Sequence, residues 1–144
     1  MTDKSKELVA SISLLNNKLH FNGMVGENEP VSIDYTPPLG DNLGYTSLEL
    51  LLLSLSSCVG SAVLTFLRKI KKNITGCEIH SRGLRNEEHP TCFNSIYITI
   101  DLKSSDVSEE ELRKVLLLSE EKYCPVWAML KGNVKIDIDF KIVA

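Results

Sequence analysis

Four cysteines, at 58, 77, 92 and 124, carry the clearest hint of chemistry in this chain. No two have the C-x-x-C spacing, and His20, His80 and His89 do not complete a zinc-ligand pattern, so no metal site or cofactor is read from the sequence. Cys124 lies in SEEKYCPVW (119–127), between a charged, helix-favouring segment and a proline. The residue before a proline is pushed out of the α region, which stops the preceding helix there. Pro125 then suits the first position of a new helix over 126–131, with Gly132 as its terminator. On that reading Cys124 is the N-cap, with its sulfur beside free N–H groups at the positive end of the helix dipole, where thiol pKa falls. The same spacing fits an inert, partly buried cysteine packed beside Trp127, and both readings stand.

Cys58 lies inside an apolar stretch, 48–67, among Ser54, Ser57, Ser61 and Ala62. These small neighbours leave space around the sulfur. They also let a second helix approach closely, and by periodicity alone this packing role leads. Cys77 and Cys92 begin strand-like segments, have no charged or helix-terminal setting, and read as small apolar filler.

The elements that must position these thiols follow from periodicity and caps. Residues 8–25 read as two strands around Asn16-Asn17, since asparagine tolerates the positive φ of a tight turn. Residues 31–35 form a third candidate strand, and the proline- and glycine-rich segment 36–44 is a loop. Thr46 followed by Glu49 is a capping box that opens a long helix to about Lys72, with a bend or break near Gly60. The basic run 68–72 suits the negative end of that helix. Strands follow at 77–85 and 92–102, the second showing Ile96, Ile98, Ile100 and Leu102 in alternation. Ser108 and Glu111 cap an amphipathic helix that ends near Tyr123. In the last strand Val134, Ile136, Ile138, Phe140 and Ile142 share one face, and charged residues take the other. Strands grouped between helices, without one-for-one alternation, indicate an α+β fold with mainly antiparallel sheets.

Length and composition set the frame. A chain of 144 residues, 43% hydrophobic, matches one domain with a sizeable core. A net charge of −3 with scattered basic residues argues against nucleic acid as a partner. The apolar stretch 48–67 has the length of a membrane span. Its single charge, Glu49, its four serines and the alternating strands elsewhere favour a helix buried in protein, without membrane insertion. The N-terminus does not read as a secretory signal, so the expected location is cytoplasmic, where cysteines form transient disulfides more readily than structural ones.

SLELLLLSLSSCVGSAV (47–63), followed after a strand pair and a helix by LSEEKYCPVWAML (118–130), resembles the OsmC/Ohr family, named for an osmotically inducible protein and organic hydroperoxide resistance proteins. The resemblance covers nearly the whole chain. It implies a single OsmC-like domain over 1–144 that forms an intertwined α+β homodimer, its mainly antiparallel sheets wrapped around long central helices. It also implies a cysteine peroxidase with active sites at the dimer interface, Cys58 as the peroxidatic and Cys124 as the resolving cysteine, an organic hydroperoxide as substrate and a dithiol as reductant. The family's peroxidases hold the reactive thiol ionised with an arginine from the N-terminal strand region, and this chain has no arginine before Arg68. Their glutamate stands ten residues before the reactive cysteine, where this chain has Leu48. Glu49, nine residues before, is the third candidate catalytic residue, although the capping box gives it a structural task. The alternative of a different class is a protein that binds a small apolar or thiol-reactive ligand at the same interface without turnover.

Overall fold

The computed structural model describes residues 4–144 and divides the chain into two compact units, Met1–Leu51 and Leu52–Ala144. The first holds a three-stranded antiparallel sheet of β1 (Ser11–Leu14), β2 (Phe21–Met24) and β3 (Val31–Ile33), in that order. The expected hairpin forms, by a different device. Asn16 has no positive φ; its side-chain oxygen accepts from the backbone N–H groups of Lys18 and His20, an Asx turn inside a wider connection. Loop 36–44 is organised by the buried carboxylate of Asp34, which accepts from the N–H groups of Tyr35, Asp41 and Leu43. Gly40 packs so closely on this carboxylate that a Cβ there would lie 2.3 Å from Asp34 Oδ1.

Helix α1 (Ser47–Lys69) begins where expected: Thr46 N–H donates to Glu49 Oε1, and Glu49 N–H donates to Thr46 Oγ1. It stops earlier than residue 72. Lys71 takes a φ of 65°, its N–H donates to the Arg68 carbonyl, and the Lys72 N–H reaches back to the Leu67 carbonyl. This is a Schellman closure with lysine where glycine is usual. The helix is not broken at Gly60 but runs through it. Gly60 serves contact instead, since a Cβ there would sit 2.7 Å from Ile79 Cδ1. By length and composition α1 could cross a membrane, yet Leu55, Val59, Val63 and Leu67 on one of its faces are completely buried within the protein.

The second unit contains β4 (Ile74–Arg85), β5 (Phe93–Ser104) and β6 (Lys135–Val143), ordered β4-β5-β6. The β4/β5 pair is antiparallel, but β5/β6 is parallel, a departure from the antiparallel trend. A parallel partner requires a crossover. Here the crossover is α2 (Glu109–Leu118), a π turn over Ser119–Tyr123 and α3 (Pro125–Leu130). The buried residues Ile96, Ile98, Ile100 and Leu102 of β5 form the core with α1, Leu112 and Val115 of α2, and Trp127 of α3. Burial of side chains of this size stabilises the unit by about 1.5–3 kcal/mol each. The Ser108–Glu111 capping box that starts the crossover is complete.

Candidate functional site

Cys58 occupies the middle of α1 and is half-buried. Its small neighbours do not form an enclosed space, because Ser54, Ser57 and Ser61 are exposed and Ser57 Oγ donates to the Ser54 carbonyl. Cavities of about 610 Å³, beside Leu8, Val9 and Val25, and about 500 Å³, beside Asn86 and Cys92, both exclude Cys58 and Cys124. The helix face carrying Ser54, Ser57 and Ser61 is exposed within the chain.

Cys124 reaches the same place from the crossover. Its backbone is extended (φ −108°, ψ 96°) and it caps α3, with Pro125 in the first turn. The π turn sets its direction. The Cys124 N–H donates to the Ser119 carbonyl at 2.9 Å, so residue i+5, not i+4, stacks over Ser119. Ser119 is fully buried with its hydroxyl bonded to the Val115 carbonyl, and Cys124, stacked above it, is only 1% exposed. In uninterrupted α-helical register Tyr123 would take that inward position and Cys124 would turn about 100° away. Tyr123 instead lies outside, with its ring edge-on to Phe66 at 4.7 Å between centroids. The charged wording of SEEKY gives no sign of this extra-wide turn.

The two thiols are electrostatic neighbours: the Cys58 side chain acts on the Cys124 thiol. Both are free thiols. The electrostatic consequence reverses the sequence expectation for Cys124. Its thiol pKa is pushed up from 9.0 to about 12, first by burial and then by the hydrogen bond and charge of Cys58. The N–H groups of Trp127 and Val126 act in the opposite direction, as an N-cap position should, but the sulfur makes no regular capping bond and burial prevails.

The remaining candidates separate from this pair. The Glu49 carboxylate is engaged with Thr46, whose N–H and hydroxyl hold its pKa below the usual carboxylate value. Cys77 is half-buried within β4, and burial and the charge of Asp101 raise its pKa, which suits a filler. Cys92 is exposed before β5, where Asn86 Nδ2 donates to its sulfur at 3.4 Å, so it is not packing filler. His20 bonds Ser32, and Ser32 spends its proton on the Leu43 carbonyl. The imidazole must therefore donate to Ser32, which excludes a serine activated by His20.

Comparison with known proteins places the chain. The family model described as OsmC-like protein matches residues 40–139. YhfA of Escherichia coli K12 is 29% identical over 97 residues, covering 67% of this chain and 72% of YhfA. The crystal structure of a hypothetical protein from Aquifex aeolicus VF5 superposes with a TM-score of 0.83 at 27% identity, over 96% of this chain and 97% of that one. The organic hydroperoxide resistance protein OhrB of Bacillus subtilis shares the fold, with a TM-score of 0.64 at 18% identity over 92% of this chain and 98% of OhrB. With the family match spanning both cysteine motifs, the chain belongs to the OsmC-like protein family.

Proposed function

We propose that this OsmC-like protein is a cytoplasmic, thiol-dependent peroxidase that reduces organic hydroperoxides as a homodimer. The approach of the Cys58 and Cys124 side chains is the observation that carries this reading. The Cys58 sulfur, as thiolate, attacks the peroxide O–O bond, releases the alcohol and becomes a sulfenic acid. The Cys124 sulfur displaces the hydroxyl as water, and a disulfide forms. A dithiol reductant then restores both thiols by two exchanges and leaves as a disulfide. Cys58 contributes to the raised pKa of Cys124, so conversion of Cys58 to the sulfenic acid removes a thiol charge that opposed ionisation of its partner. The apolar setting of α1 favours an alkyl hydroperoxide over small, polar hydrogen peroxide. Glu49 acts by fixing the start of α1, a positioning role.

The homodimer draws support from exposed apolar surface. All four residues of β1 are exposed, and Leu8, Ile12 and Leu14 are 73%, 60% and 54% accessible. A second chain laid over this sheet would bury them.

The test is one equivalent of an alkyl hydroperoxide added to the reduced protein, followed by intact mass and peptide mapping. Two thiols are lost and peptides containing 58 and 124 become linked; Cys124→Ser stops at a sulfenic acid that a 1,3-dione traps, and Cys58→Ser consumes no peroxide. Survival of all four thiols in excess peroxide eliminates the proposal. The high pKa of Cys124 favours one alternative, a ligand-binding protein without turnover. In that case a small apolar or thiol-reactive compound protects the thiols, and a dithiol supports no peroxide consumption.

A further inference from the structure

Outside the thiol pair, strands β4 and β5 bring together a set of metal-ligand types that the sequence spacing hides. Glu78 and His80 are two residues apart on β4 and so project from one face of the sheet. Asp101 stands directly opposite Glu78 on antiparallel β5, with His80 diagonal to it. His80 Nε2 lies 3.6 Å from Glu78 Oε2 and 3.6 Å from Asp101 Oδ2, and one ligand atom from each residue falls within 4.8 Å of the others. They come from two strands, so no C-x-x-C or H-x-x-H wording announces them.

We propose that Glu78, His80 and Asp101 form a surface site for a divalent transition-metal ion, with zinc as the best match. One imidazole and two carboxylates are a donor set that zinc accepts, with its fourth position left to water or an external ligand. Zinc bonds of about 2.0–2.1 Å at tetrahedral angles separate ligand atoms by about 3.4 Å. The two 3.6 Å separations from His80 need a closure of a few tenths of an ångström, and the carboxylate oxygens of Glu78 and Asp101, within 4.8 Å of each other, need a closure of up to about 1.4 Å. The side chains of Glu78 and His80, 77% and 62% exposed, can make that adjustment by rotation without disturbing the sheet. Charge points the same way. Two carboxylates paired directly across strands repel each other. His80 is too far from either oxygen for a hydrogen bond of ordinary length to offset this. A dication bound between them converts the repulsion into attraction.

The inference does not depend on peroxidase activity and is tested without it. Zinc is titrated by calorimetry into tag-free Cys58→Ser/Cys124→Ser protein, which removes the thiol pair as a competing ligand set, and amide shifts are followed by NMR. One saturable equivalent binds, with shifts centred on residues 78–80 and 99–101. His80→Ala and Asp101→Asn each abolish that saturation, while the metal-free melting temperature of His80→Ala stays unchanged. Absence of saturable binding overturns the proposal, as does binding that survives His80→Ala or shifts centred on Cys77 or Cys92.

Discussion

Ionisation of Cys124 links the site to stability in a way that solution measurements can read. A thiol that ionises at 9.0 in the unfolded chain but at about 12 in the folded one holds its proton longer in the native state. Stability due to this group is fully present below pH 9. It falls as pH rises from the unfolded toward the folded value, because there the unfolded state sheds a proton that the native state keeps. The slope is about 1.4 kcal/mol per pH unit once the unfolded thiol has ionised, and the total reaches about 4 kcal/mol by pH 12. Between pH 8 and 10.5 the loss is about 2 kcal/mol. A change of that size lowers the melting temperature of a chain this long by about 4–8 °C. Other groups also titrate in this range, so the measurement is a difference: thermal or urea unfolding of the native chain and of Cys124→Ser, both fully reduced, at each pH. The serine variant has no thiol to ionise at this position and keeps the N-cap geometry, so its alkaline limb is shallower by that 2 kcal/mol. Parallel limbs would refute the claim that burial dominates the Cys124 environment, and a native limb that rises relative to that of the serine variant would restore the helix-dipole reading.

Two further perturbations test the scaffold. Burial pushes the Asp34 carboxyl up, but the N–H groups of Leu43, Tyr35 and Asp41, with the charge of His20, outweigh it and hold the pKa below the usual carboxylate value. Stability from Asp34 is therefore present above the unfolded pKa and lost as pH falls through the lower folded one; Asp34→Asn lowers the melting temperature at neutral pH and flattens the acid limb of unfolding measured from pH 7 to 2. Gly60→Val forces α1 away from Ile79 and costs about 1–3 kcal/mol in urea unfolding, whereas a glycine needed only for bending would tolerate valine, since the helix is unbroken there.

Local signals were legible in the sequence. The two capping boxes at Thr46 and Ser108 satisfy N–H groups within a few residues, so the wording alone specifies them. Alternation along 96–102 locates the central strand for the same reason, since its fully buried residues all lie on one face. The cysteine motifs led to the right family. What escaped depends on distant partners. The parallel pairing of β6 cannot be read from a strand's own alternation, which is the same in either direction. Gly60 was read as a weak point because Ile79, the residue it accommodates, lies on another strand. The N-cap position of Cys124 is legible in the sequence, but the sign of its pKa shift is not, because α1 and the π turn, not the cap, supply its surroundings. Glu78, His80 and Asp101 stayed invisible until strand register joined them.

The position of Cys124 on the crossover between parallel strands also orders events in time. Synthesis at about 5–20 residues per second exposes Cys58 for about 3–13 s before Cys124 has been made, and longer before β6 seats the crossover. On the proposed chemistry, a nascent chain oxidised in that interval lacks its resolving sulfur and is open to further oxidation to the irreversible sulfinic acid. Reversibility is thus a property acquired at the end of folding, and damaged copies should derive disproportionately from young ribosome-bound chains.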